Sequence, residues 1–321
     1  MSTAAAITGD QPALRMKPPS RLGDRLFTAF TFLMAATVVV LICVIGWELW
    51  SSARLSIKTF GFHFLVSSDW DPVNDLYGAL PFIFGTLVSS FIALIIAIPL
   101  SVATAVYLTE LAPLWLRQPV ISLIEMLAAI PSVILGLWGI FVLVPWMRAD
   151  LMPFLRVWLA WCPLFRGTIY GPCVLAGGII IAIMIIPIIT SVSREILISV
   201  PDLQREAAYA LGATRWEVTR IAVLSYAKRG IFGAIILGLG RALGETMAVT
   251  MVIGNKPQIA ESLFAPGYTL ASVIANEFAE ASDLYLQALF EIGLVLFCVT
   301  ILVNLLAQIV LKTFAGATVS Q

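Results

Sequence analysis

Six long apolar runs set the pattern of this chain: residues 26–47, 80–107, 120–144, 174–192, 230–253 and 285–311, with polar or proline-marked segments between them. A hydrocarbon core about 30 Å thick is crossed by roughly 20 helical residues, so each run is long enough for one transmembrane helix. Backbone groups cannot stay unpaired in hydrocarbon, which makes helices the expected solution for all six. The expected fold is an all-α membrane protein of about six spans, with both termini cytoplasmic.

Residues 1–22 carry no periodic apolar pattern and read as a disordered cytoplasmic tail; 23–313 form the membrane domain, and 314–321 a second tail. The first run is longer than the roughly 7–15-residue core of a signal peptide, and no small-residue cleavage site closes it, so it reads as a retained anchor. Pro113 and Pro119 mark a short turn between the second and third runs. The longer connections hold the polar stretch 68–75 and the acids Glu261, Glu277, Glu280 and Asp283. These acids are either a docking face for a soluble partner or solvated loop charge.

Composition agrees: 60% of residues are hydrophobic and only 12% charged, against roughly 25% charged in a soluble domain. With 19 basic and 19 acidic residues in balance, no nucleic-acid partner is expected, and membrane lipid is the surrounding medium. Where the charges sit gives the orientation. Arg15, Lys17, Arg21 and Arg25 precede the first run, and Arg194, Arg205, Arg215, Arg220, Lys228 and Arg229 crowd the connection between the fourth and fifth, so both belong in the cytoplasm. Arg148, Arg156 and Arg166 run against this scheme, falling in a third connection that it places outside. Cys43 and Cys298 lie in apolar runs, while Cys162 and Cys173 flank an outside loop and are either paired or free; no metal-ligand spacing is present.

The cytoplasmic segment 200–224 reads as two short helices joined by a tight corner. Pro201 and Asp202 suit a helix start, and Gly212 supplies the left-handed residue that ends helices. Thr214 followed three residues later by Glu217 forms a capping box for the next helix. Leu203, Ala207, Ala210 and Leu211 share one face, a small smooth knob that fits a groove on another protein or packs back on its own bundle.

Glu206-Ala207-Ala208, Gly212 six residues after the Glu, and the apolar close Val223-Leu224 resemble the EAA loop of ATP-binding-cassette importer permeases. That ending normally reads Ile-x-Leu-Pro, whereas here it is Ala222-Val-Leu-Ser225, without the proline. Other runs narrow the resemblance: Trp70-Asp71 and Asn74-Asp75 with Tyr77-Gly-Ala-Leu80, Leu108-Thr-Glu-Leu-Ala-Pro113, Leu127-Ala-Ala-Ile-Pro-Ser132, Leu239-Gly-Arg-Ala-Leu-Gly-Glu-Thr-Met-Ala-Val249 and Ala275-Asn-Glu-Phe-Ala-Glu280. From residue 70 to about 297 the chain is similar to phosphate-uptake permeases of the PstC kind.

The resemblance implies a type I importer bundle in the bacterial plasma (inner) membrane. It implies ATPase coupling through Glu206, Ala207, Ala208, Leu211 and Gly212. It also implies a second, homologous permease (PstA-like), two cytoplasmic ATPase subunits (PstB-like) and an external phosphate-binding protein (PstS-like). No G-x-x-x-x-G-K-[ST] loop occurs, so the chain itself is expected to be no enzyme and to bind no cofactor, with ATP hydrolysed by a partner.

Glu125, Arg241, Glu245 and Glu291 fall inside apolar runs, where each ionised group costs roughly 2.5–3.5 kcal/mol unless paired or wet. Arg241 and Glu245, spaced i, i+4, point the same way on a continuous helix and form an expected ion pair. One reading makes the pair a structural lock aided by Gly240 and Gly244. The favoured reading makes Arg241, Glu245 and Glu125 the substrate pathway, because a translocating anion needs a cationic waypoint and a guanidinium matches phosphate oxygens. Two readings from other classes remain. A secondary transporter would use the carboxylates as ion sites and need no ATPase, although no inverted repeat with paired broken helices is visible in the sequence. A membrane enzyme would have to use His63, the only histidine, which has no evident nucleophile or metal beside it.

Overall fold

The structure is a computed structural model that describes residues 21–316, with side chains described from 23 to 313. The expected tails lie outside the described residues, except that Arg21 begins the first helix and 314–316 end the last. The chain divides into two units, Met1–Glu48 and Leu49–Gln321. The described part of the first is helical, the greater part of α1 (Arg21–Ser52), whose apolar side chains include Phe27, Phe30 and Phe32.

The second unit holds α2 (Arg54–Phe60), α3 (His63–Val66), α4 (Leu80–Leu111), α5 (Leu114–Ala129), α6 (Ser132–Trp158), α7 (Val174–Ile198), α8 (Asp202–Ala210), α9 (Arg215–Gly244), α10 (Met247–Val252), α11 (Leu270–Glu277) and α12 (Asp283–Gly316). Six helices are long and apolar enough to cross a membrane: α1, α4, α6, α7, α9 and α12. Among the described residues there is no strand, only the isolated bridges Asp71 to Leu76 and Gly254 to Gly267.

The centre of the second unit is α7, 72% of whose apolar window is buried against 28% for α4 and α9. Both of those helices pack on it. Small residues permit the close approach: a Cβ at Gly178 would strike Ile92 of α4, and one at Gly238 would strike Ile189 of α7. Gly240 and Gly244, expected to serve this purpose, do not: Gly244 faces open space and Gly240 approaches only the Asn304 side chain.

Two spans differ from the sequence reading. The third begins at Ser132, not near 120, because Ile130 (ψ 126°) and Pro131 (ψ 138°) are extended, and a proline disfavours helical backbone at the residue before it. Residues 114–129 form the separate helix α5, and α6 runs on to Trp158, carrying Arg148 and Arg156 on the helix and not in a loop. The fifth span starts at Arg215, so the expected second short helix is its own first turn. It ends at Gly244, because Glu245 is extended (φ −69°, ψ 123°) and the chain resumes helix only at Met247. The chain is thus interrupted at two points, and the segments that follow the breaks, α6 and α10, pack on each other: a Cβ at Gly136 would meet Met251, and one at Gly139 would meet Val252.

Candidate functional site

The cytoplasmic corner is built as its sequence indicates. Gly212 adopts φ +84°. Its amide donates to the Tyr209 carbonyl at 2.9 Å, and the Ala213 amide to the Ala208 carbonyl at 3.2 Å, closing α8. The capping box is complete: the Glu217 amide donates to Thr214 Oγ1 (3.4 Å), while Glu217 Oε2 accepts from the Thr214 amide and hydroxyl (2.8 Å each). No residue of α8 is buried, and Leu203 and Leu211 are 71% and 90% exposed. Glu206, Ala207 and Ala210 are exposed beside them, while Ala208 is half-buried. The expected apolar knob is thus presented to solvent, not packed on its own bundle.

Arg205 ties α8 to the bundle. Its Nη1 donates to the Val200 carbonyl (2.7 Å) and Asp202 Oδ1 (3.0 Å), and its Nη2 to Glu110 Oε1 (3.0 Å) and the Leu197 carbonyl (3.1 Å). The Arg205 and Glu110 side chains are 19% and 14% exposed. Sequence reasoning counts Arg205 only as loop charge. Both residues stand inside runs it singles out, but a pairing 95 positions apart leaves no local trace.

In the membrane region the structure separates the expected residues. Arg241, exposed near the end of α9, lines an open groove of about 430 Å³ with Ile188, Ile236, Leu237, Gly240 and Asn304. Glu245 is half-buried beyond the helix end, and among the described residues no ion pair joins it to Arg241. The i, i+4 geometry fails because the helix stops at Gly244, one residue short of Glu245. Glu125 is exposed on α5, outside the six long spans, and is absent from the Arg241 groove. Buried Glu291 accepts a hydrogen bond from the Ser56 hydroxyl, which joins α12 to α2.

At the opposite end stands a second cluster, which the sequence shows only as the polar stretch 68–75 and the loop acid Glu277. Glu277 Oε2 accepts from Trp70 Nε1 (2.9 Å) and from the Tyr285 hydroxyl, and Oε1 from the Tyr268 hydroxyl (3.1 Å), which itself accepts from Asn276 Nδ2 (3.0 Å). Trp70 lies edge-on to Phe82 with centroids 4.9 Å apart, and Tyr77 stacks on Tyr285 at 5.7 Å. Burial and the Asp75 carboxylate raise the Tyr77 hydroxyl to about 12. Glu277 is therefore an internal acceptor, unavailable as docking charge. Cys162 and Cys173 are free thiols, and among the described residues no group of His, Cys, Asp and Glu is arranged to hold a metal.

Comparison with known proteins places this architecture. Residues 97–316 match the family described as binding-protein-dependent transport system inner membrane component. The phosphate transport system permease protein PstC of Pasteurella multocida is 49% identical over 91% of this chain and 90% of its own, and that of Mesorhizobium japonicum 45% over 92% of each. A chain of a bacterial alginate ABC transporter, solved in complex with alginate pentasaccharide-bound periplasmic protein, superposes with a TM-score of 0.55 at 18% identity, covering 89% of this chain and 96% of that one.

Proposed function

The chain belongs to the PstC family of binding-protein-dependent transport permeases, and from that premise we propose that it is a transmembrane pore subunit of an ATP-driven inorganic phosphate importer. The observation that carries the coupling half of this reading is α8, a helix with no buried residue that offers Leu203, Ala207, Ala210 and Leu211 to a partner. An amphipathic helix presented in this way fits a groove on a cytoplasmic ATPase. Glu206, Ala207, Ala208, Leu211 and Gly212 are the coupling residues.

Anion uptake into a negative interior is opposed by about 2.3 kcal/mol per charge per 100 mV, so it needs an energy source. With no nucleotide-binding loop in the chain, ATP is used by two PstB-like partner subunits, and the chain itself binds no cofactor. A second, PstA-like permease completes the pore, and a PstS-like external protein delivers phosphate. In the membrane, Arg241 is the cationic waypoint: its guanidinium can meet phosphate oxygens through two parallel bonds. Glu245, half-buried at the adjacent helix break, and Glu125 on α5, standing apart from it, are the further pathway residues.

The test is purification of the tagged chain from host membranes in mild detergent, followed by reconstitution of whatever accompanies it. Recovery of an ATPase and a second permease, with uptake lost in Arg241→Ala and the assembly intact, is expected. A chain recovered alone that still transports, or an Arg241→Ala assembly with normal uptake, would overturn the corresponding part of the reading.

A further inference from the structure

One guanidinium ties the coupling helix to two other helices of the bundle. Arg205 uses four N–H bonds at once: one to Asp202 on α8 itself, two to the carbonyls of Leu197 and Val200, and one to Glu110. Leu197 lies in the last turn of α7, where the carbonyls have no partner within the helix and carry partial negative charge. Glu110 sits on the π-helical turn Tyr107–Leu111 that ends α4. Thus a single planar group, largely shielded from water, joins α8 to the cytoplasmic ends of α4 and α7, the two most closely packed helices of the unit.

A planar fork pinned in four directions resists rotation and translation together, which a point charge cannot do. α8 is also joined by the chain to α7 through residues 199–201 and to α9 through the Gly212 corner, and it packs on the start of α9. Movement of α8 therefore enters the membrane along the chain into α7 and α9, and through Arg205 into α4 and the end of α7. π-Helical turns, found here at the end of α4, at the start of α9 and twice within α6, are frequent at functional sites.

We propose that Arg205 and Glu110 form the linkage that passes displacement of the coupling helix to α4 and α7, making both of them positioning residues for ATP-driven transport. This rests on the functional reading above. The geometry gives them unequal weight, since Arg205 holds the Leu197 carbonyl of α7 and the Val200 carbonyl after it as well as Glu110, whereas Glu110 acts only through Arg205.

The experiment uses the complete assembly in membrane vesicles and measures phosphate taken up per ATP hydrolysed, a ratio that merely losing assembled complex does not change. In Arg205→Gln the ratio falls about tenfold, within the range typical of coupling between sites. Glu110→Gln, which leaves the carbonyl bonds in place, lowers it about threefold, and the double variant is no worse than Arg205→Gln, because the two act through one contact. Arg205→Lys, with charge but no fork, recovers only part of the ratio.

If Arg205→Gln fails to assemble, Glu110→Gln decides the matter: a normal ratio there overturns the linkage. So does a double variant whose loss is the product of the two single losses. A wild-type assembly that hydrolyses ATP but takes up no phosphate overturns the functional reading and this inference with it. A coupled wild type with equally coupled variants overturns the inference alone.

Discussion

The two ends of the second unit are built on opposite plans. At one end a helix stands in solvent with no buried residue, held by one arginine, a glycine corner and its packing on the start of α9. At the other, a single carboxylate gathers three donors from three separate segments, inside a cage of edge-packed and stacked rings. The first arrangement keeps a contact surface available and its position adjustable; the second fixes segments relative to one another and leaves little freedom. The contrast suits a protein that receives force at one end and reacts against a stiff frame at the other.

Substitutions at the two ends should therefore fail in different ways. The largest expected effect is on transport, at the corner. A Cβ placed on Gly212 would have open space for 4 Å around it, so Gly212→Val meets no clash and acts only through its backbone. A left-handed conformation costs a non-glycine residue about 1–2 kcal/mol, and more if it is β-branched, so the corner reopens. Uptake in vesicles should fall at least about tenfold while the folded protein accumulates normally.

Glu277→Gln should do the reverse. It places an amide against the indole and hydroxyl donors of Trp70 and Tyr285, removing charge-assisted bonds worth about 1.5–3 kcal/mol each, and should lower the midpoint of thermal unfolding in detergent more than any corner variant does. Equal stability of Glu277→Gln and wild type would break the contrast.

How much of this is legible in the sequence divides along the same line as range. The corner can be read residue by residue because its signals are local: a proline, a glycine that must take positive φ, and a Thr and Glu three positions apart. The number of long spans is equally legible, since apolar length decides it. The register of the third and fifth spans is not. Apolar residues continue on both sides of Pro131 and of Gly244, so hydropathy alone slides across both breaks, and Arg241 and Glu245 look paired on a helix that has already ended. The Arg205–Glu110 and Glu277 contacts join distant segments, and only the fold brings them together.

Smaller effects sharpen the contrast. Thr214→Ala removes half of the capping box, about 1 kcal/mol, and should speed amide exchange at the start of α9 about fivefold while leaving the thermal midpoint nearly unchanged. Tyr77 supplies a pH signature at the other end. Its hydroxyl is raised from 10.0 to about 12, so the folded state holds the proton more tightly than the unfolded one. Its stabilising contribution is complete below pH 10 and is lost as pH rises towards 12. The fall in thermal midpoint across that window should be shallower in Tyr77→Phe than in wild type.

Accumulation of labelled phosphate in vesicles carrying the purified assembly, with ATP supplied only on the face that bears α8, is the most direct measurement. Accumulation that requires both ATP and an intact Gly212 corner is the predicted result. Phosphate uptake that proceeds undiminished without ATP would contradict an ATP-driven pore and return the membrane carboxylates to the role of ion-coupling sites.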